Sequence, residues 1–435
     1  MALDTGKSLR NQVIYSVYVR NHSASGSFKA VEADLDRIKE LGADIIWLLP
    51  IHPTGEKNRK GLLGSPYAIK DYRKVNPEFG TTEDFASLVA SIHKRGMLCM
   101  IDVVYNHTSP DSWLAENHPE WFYKTPEGRF GNKTGDWADV IDLDYGQTSL
   151  WDYQIETLAM WAKVIDGFRC DVAPLVPLEF WLKARAEVEK VHPGFIWLSE
   201  TVDPGFTVYN RALGFNSLSD SETYQAFDIC YDYDINSYFH GYLEGKNTLA
   251  EYADRISGQE GIYPGNYVKL RFLENHDNMR ARFMIPDELQ LRNWTAFLYF
   301  QKGAALVYAG QETGNTKHPD LFGRDEIKWN TGFDISGLMR ILYNIKKSRI
   351  FTDSSYKVTA LPNEILLAVH KSIATQTQMV GVFSVKGHSS LVSSQVPDGI
   401  YSNLIDGEPV NVEAGKLSCK GGPIIFEAPL KAAAQ

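Results

Sequence analysis

A chain of 435 residues with 44% hydrophobic and 23% charged content is long enough for one large domain and a smaller one. Its formal net charge of -10 argues against a nucleic-acid partner, which needs a basic face. None of its apolar runs reaches the roughly 20 residues that span a bilayer, so no membrane association is expected.

The first twenty residues, MALDTGKSLRNQVIYSVYVR, carry neither an apolar h-region nor an A-x-A cleavage site. A cytoplasmic protein is expected, unless a signal preceded this numbering. Val13–Val19 (VIYSVYV) is apolar and β-branched, as a buried strand is. Phe28, Val31, Leu35, Ile38 and Leu41 then recur at helical spacing, and Gly42 stands where a left-handed C-cap belongs. Asp44–Pro50 (DIIWLLP) reads as the next strand. Thr81 to Asp84 (TTED) opens a second helix with Phe85, Leu88, Val89 and Ile92 on one face, closed by Gly96. A third strand, Met97–Val104 (MLCMIDVV), follows. This alternation implies right-handed parallel crossovers.

Between His107 and Leu150 the alternation stops. Loops beyond ~12–15 residues usually carry function or form a subdomain. Trp113, Trp121, Phe122, Tyr123 and Trp137 make this stretch too aromatic for disorder. Residues 108–147 are expected to be a small insertion after the third strand, walling one side of a cleft. The pattern resumes at Leu150–Ile165 and runs through Gly303–Ala309 (GAALVYA). The expected fold class is therefore α/β, a TIM (β/α)8 barrel over residues 1–107 and 148–351, with a faint sixth strand near Ala226–Tyr231. Beyond Phe351 the helical period is lost. Alternation at Glu364–His370, Met379–Val385, Ser390–Val396 and Pro423–Glu427 predicts a C-terminal antiparallel β-sandwich over residues 352–435. Low complexity is confined to the closing KAAAQ. Cys99, Cys170, Cys230 and Cys419 have no paired spacing and are expected to be reduced and structural.

Chemistry enters where these runs end. Met97–Val104, Val164–Asp171 (VIDGFRCD), Phe195–Glu200 (FIWLSE) and Tyr267–Asp277 (YVKLRFLENHD) each hold or end in an acidic group, and Tyr67 lies earlier, in GSPYAIKDY. In β/α barrels the loops after different strands converge on one pocket at the carboxyl edge. Cleaving an acetal between sugars takes a carboxylic acid to protonate the leaving oxygen and a carboxylate to attack or to activate water. Asp171 and Glu200 end consecutive strands and could face each other. Arg169, two residues before Asp171, shares its face and would keep it ionised. The apolar run before Glu200 would favour its protonated form. Asn275, His276 and Asp277 add groups suited to stabilising an oxocarbenium ion. Taken singly, an Asp after a strand is more often a helix N-cap than a catalyst; the ordered set carries the enzymatic reading.

IDVVYNH (Ile101–His107), GFRCD (Gly167–Asp171), Glu200 in WLSE and ENHD (Glu274–Asp277) resemble the four signature regions of the α-amylase family of glycoside hydrolases. GSPYAIKDY and VYAGQETG (Val307–Gly314) resemble its flanking motifs, and the likeness runs from about residue 12 to 350. The resemblance implies Asp171 as nucleophile, Glu200 as general acid/base and Asp277 as transition-state stabiliser. It also implies His107, Arg169 and His276 on the sugar at the scissile bond, Tyr67 stacked beneath it, and Asp102 as a partner within the site. The substrate so implied is an α-glucan or malto-oligosaccharide, and the reaction is retaining hydrolysis of α-1,4 bonds. The alternative is a glucanotransferase, oligosaccharide α-glucosidase or cyclomaltodextrinase. No organic cofactor is expected. Asn106 and Asp142 are the implied calcium ligands. Two departures stand out: Pro174 and Leu175 occupy the positions of a frequent Lys-His pair, and VIDLDYG (Val140–Gly146) matches neither common version of a subtype motif.

Overall fold

The computed structural model describes residues 4–135 and 137–430; KAAAQ lies outside the described residues. The strands in chain order begin with β1 (Val13–Val17), β2 (Ile45–Leu48) and β3 (Leu98–Val103). A short ribbon follows, β4 (His107–Thr108) and β5 (Ile141–Asp142), and then β6 (Gly167–Cys170), β7 (Ile196–Ser199), β8 (Ile229–Tyr231), β9 (Lys269–Arg271) and β10 (Ala304–Tyr308). Eight of them close into a barrel in the order β1-β10-β9-β8-β7-β6-β3-β2. The sixth barrel strand, β8, is only three residues long, which is why its sequence signal is faint.

Local chemistry sets the crossovers. The helix Phe28–Leu41 starts at Ser27, whose side chain accepts from Ala30 N, and ends at Gly42 with φ 101°, a conformation that favours glycine. Helix Thr82–Lys94 begins with a capping box between Thr81 and Asp84. Among the described residues no helix is long and apolar enough to cross a membrane. Cys99, Cys170 and Cys419 are buried free thiols.

Two compact units can be distinguished. The first comprises residues 4–5, Ile14–Asp234 and Pro319–Ile327. Here Phe168 and Trp197 pack ring to ring with centroids 5.4 Å apart, and Trp197 meets Trp181 of helix Leu178–Val191. The insertion is tied down by β4 and β5, which pair His107 with Asp142 and Thr108 with Ile141. Its aromatics divide their work. Trp121 and Phe122 are buried, Trp121 stacking on His118 at 3.8 Å, whereas Trp137 lies 5.5 Å from His107.

The second unit comprises Gly6–Val13, Ile235–His318 and residues 328–430. Its C-terminal part holds β11 (Ser355–Leu361), β12 (Ile365–Ser372), β13 (Thr377–Ser384), β14 (Ser390–Ser393), β15 (Gly399–Ser402), β16 (Pro409–Glu413), β17 (Lys416–Cys419) and β18 (Ile424–Pro429). These form two antiparallel sheets, β11-β12-β13-β18 and β14-β17-β16-β15. Val380, Val382 and Phe426 of one sheet meet Val392, Val410, Val412 and Leu417 of the other in a shared core, as the sandwich expectation requires. Strands β11, β15, β16 and β17 were not anticipated. Polar or charged residues interrupt each of them, and β15 has no buried residue at all.

Each unit buries a histidine in its neutral form. His52 Nδ1 donates to Lys74 O, and His370 Nε2 donates to Phe300 O while Nδ1 accepts from Ser354. Burial pulls His52 from 6.5 to about 4 and His370 to about 3. With the folded pKa below the unfolded one, the unfolded chain takes up the proton first. The associated stability is complete above about pH 6.5 and is lost as pH falls through the folded values. The melting temperature should therefore drop between pH 6.5 and 4, and less steeply in His52→Gln; equal slopes for the two proteins would refute the assignment.

Candidate active site

In the first unit, parallel register places the chemistry. Pairing of β3 with β6 sets Asp102 opposite Arg169, and pairing of β6 with β7 sets Cys170 opposite Ser199. Asp171 N donates to Val103 O and Glu200 N to Cys170 O, so both carboxylates sit one residue past a strand yet remain tied to the ladder.

Arg169 is the centre of this arrangement and has no exposed surface. Its Nη1 donates to Asp102 Oδ1 at 2.9 Å and to Asp171 Oδ1 at 2.8 Å, and its Nη2 forms an ion pair with Glu200 Oε1 at 2.9 Å. Nε reaches Tyr231 Oη at 3.3 Å. The rings of Trp47, Tyr67 and Tyr231 lie 5.2, 5.7 and 5.3 Å from the guanidinium carbon. Burial alone would lower the pKa of Arg169, but the carboxylates of Asp102 and Glu200 drive it well above its ordinary value. Tyr67 Oη donates to Asp102 Oδ2 at 3.2 Å.

His107 Nε2 lies 3.9 Å from Asp171 Oδ2. Burial lowers its pKa, against the pull of Asp142 and Asp139, and keeps the ring neutral at pH 7. Asn106 Nδ2 donates to His107 Nδ1 at 3.2 Å, which puts the ring proton on Nε2, the atom facing Asp171. Tyr67, Asp102, His107, Arg169, Asp171 and Glu200 are thus brought together.

His276 and Asp277 belong to the second unit, beyond β9, and pair with each other, Nε2 to Oδ2 at 3.0 Å. Asn275 Oδ1 shapes their turn by accepting from Asp277 N, Asn278 N and Asn278 Nδ2. Glu274 braces it from behind, accepting from Arg280 Nη1 and Ala281 N, each at 2.6 Å. The Asp277 side chain is 46% exposed.

Sequence reading did not single out Trp47, Tyr231 or Val172. Val172 has φ 34°, and its N–H donates to Glu200 Oε2 at 2.9 Å. Tyr231 does carry a signal, as it ends a strand. Arg169 was expected to serve Asp171; it serves Glu200 as well. Pro174 and Leu175, in the 3-10 turn Ala173–Leu175, are buried.

Asn106 and Asp142 meet at 3.5 Å, but their atoms do not fit a calcium cage. Calcium takes six to eight oxygen ligands. Asp142 Oδ1 accepts from the amide nitrogens of Asn106 and Asn132, and Oδ2 accepts from Lys133 N at 2.7 Å. Asn106 turns its nitrogen to the carboxylate. Among the described residues no three His, Cys, Asp or Glu side chains converge as a metal would need.

Carboxylates at consecutive strand ends of a closed β/α barrel have the make-up of an acid/base site for acetal bonds. Residues 14–353 match the α-amylase catalytic domain and residues 357–426 the bacterial α-amylase C-terminal domain. The chain belongs to the α-amylase family of glycoside hydrolases. It is similar to an α-amylase from Lactobacillus plantarum, 46% identical with a TM-score of 0.94 over 97% of this chain and 99% of that one. A noncanonic maltogenic α-amylase, AmyB from Thermotoga neapolitana, is 33% identical with a TM-score of 0.86, covering 98% and 100%. The α-amylase MalA of Haloarcula japonica is 25% identical over 74% of this chain and 46% of its own length. An α-1,4-glucan:maltose-1-phosphate maltosyltransferase of Myxococcus xanthus is 30% identical over 48% of this chain and 35% of its own length. The chain thus spans less than half the length of these two curated relatives.

Removing a buried partner leaves charge uncompensated, at a cost of about 3–5 kcal/mol. Arg169→Met should lower the denaturant midpoint accordingly, and an unchanged midpoint would show that the guanidinium is not the keystone of this site.

Proposed function

We propose that the chain is a retaining glycosidase cleaving α-1,4 bonds of malto-oligosaccharides or starch-type glucans. The observation that supports this best is Arg169 gripping Asp171 and Glu200 at once, since it holds two carboxylates of consecutive strands on one fork. Retaining sites keep their carboxyl groups about 5–5.5 Å apart, inverting sites about 6.5–9.5 Å. A shared guanidinium favours the short gap.

In this reading Glu200 gives its proton to the glycosidic oxygen while Asp171 attacks the anomeric carbon. The carbon–oxygen bond breaks, the aglycone leaves as an alcohol, and a glycosyl ester forms on Asp171. Glu200, now a carboxylate, takes a proton from water, whose oxygen attacks the same carbon and frees Asp171. Asp102, Asp171 and Glu200 gather more negative charge than Arg169 offsets. That excess favours a proton on one member of the group, and it favours the positive charge of the oxocarbenium ion. Asp277 would stabilise the same ion, and Tyr67, His107 and His276 would hold the sugar.

Transfer to a second sugar instead of water is the alternative. Pro174 and Leu175, where related chains often carry a cation, support an acceptor side that grips sugar differently. The family members above include a maltosyltransferase and a maltogenic amylase. Product analysis from maltoheptaose, cyclodextrin and isomaltose separates these cases.

Asp171→Asn and Glu200→Gln should each lower kcat by several orders of magnitude with little change in the thermal melt. Near wild-type turnover in either would remove its role. Stereochemistry tests the mechanism more sharply: two inversions restore the α-configuration, so NMR of fresh product should show the α-anomer before mutarotation. With azide, Asp171→Gly should yield the β-glycosyl azide, and Glu200→Ala, given a good leaving group, the α-glycosyl azide. A β-anomer from the wild type would rule out the two-step route.

A further inference from the structure

The misfit of calcium has a counterpart in a nearby lysine. Lys133 lies in the insertion, nine residues before Asp142, and is only partly exposed. Its backbone N–H binds Asp142 Oδ2 at 2.7 Å, and its Nζ donates to Leu143 O at 2.7 Å. One residue therefore holds both the carboxylate that ends β5 and the carbonyl just beyond it. Asn132, beside it, bridges Asp142 Oδ1 and Val140 O, both at 3.2 Å. On the barrel side, Asp142 pairs with His107 across the ribbon, and Asn106 joins the two.

We propose that Lys133 is a built-in cation of the insertion, taking the place of a bound metal: its ammonium holds Leu143 O while its backbone N–H holds the Asp142 carboxylate. Two features of the site agree. Every recorded contact of the Asp142 carboxylate is with an N–H donor, which suits an anion held by the protein rather than one shared with a metal. A second lysine serves a neighbouring carboxylate by direct contact, where Lys60 pairs with buried Asp139 at 3.0 Å. The chain this completes runs Lys133, Asp142, Asn106, His107, and so reaches a residue that faces Asp171.

The inference is independent of which glucan is cleaved, because its readout is stability. The melt of the purified full-length protein should not move in excess EDTA or in millimolar CaCl2, and elemental analysis should find no stoichiometric calcium. Lys133→Met keeps the aliphatic stem and removes the charge, so it should melt several degrees lower and raise KM through His107. Lys133→Arg should recover most of the loss. A wild-type melt that falls in EDTA, with bound calcium lost in step, would overturn the proposal. So would a Lys133→Met protein that melts with the wild type. If Lys133→Met fails to fold, the EDTA and metal measurements on the wild type still decide the question.

Discussion

A single buried guanidinium governs this site. Placing Arg169 out of reach of water carries a desolvation cost of several kcal/mol, which good geometry and opposite charge must offset. Asp102, Asp171 and Glu200 supply the charge, and Trp47, Tyr67 and Tyr231 supply ring faces. These partners come from β2, β3 and β8, from the ends of β6 and β7, and from the loop bearing Tyr67. Their convergence requires each strand to hold its register, because a slip of one residue turns a side chain to the opposite face. The same guanidinium that demands this order keeps the carboxylates from repelling one another into disorder. Structure and electrostatics are here one constraint.

Much of this could be read in the sequence because barrel strands are short, apolar and terminated by the residues that matter. The Arg169–Asp171 pair follows from a period of two, and the capping box at Thr81 and the left-handed Gly42 follow from local propensity. What escaped was of other kinds. A backbone N–H, such as that of Val172 on Glu200, leaves no trace in residue type. Lys133 resembles any solvated lysine until the fold returns β5 to the end of β3. Strands β16 and β17 escaped because each buries only two residues between polar or charged ones, and β15 because it buries none. Glu200 was read from the apolar run before it, whereas Arg169 and Val172 set its surroundings.

The insertion extends the electrostatic logic outward. Its core is aromatic, but its attachment is polar: Lys60 to Asp139 and Thr134 to Asn210. Tyr72 Oη donates to Val104 O and His107 O, fixing the path of the chain as it leaves β3. His107 is thereby held from two sides and kept neutral, so it faces Asp171 without adding a second full positive charge beside Arg169.

Val172 shows where the fold bears strain. A β-branched residue at φ 34° and ψ 42° sits in the left-handed region, at a cost of about 1–2 kcal/mol. Strain of this order persists only where the surroundings over-determine it. On one side, Asp171 N is fixed to Val103 O; on the other, the turn Ala173–Leu175 is fixed by Leu175 N to Val172 O. Between these anchors the chain must reverse within one residue, and doing so aims the Val172 N–H at Glu200 Oε2. A relaxed residue here would turn that donor away. The strained peptide therefore sets the relation between the two carboxylates from the backbone, while Arg169 sets it from the side chains. Backbone and side chains thus restrain the same pair of carboxylates independently, one through the Val172 N–H and the other through the Arg169 fork.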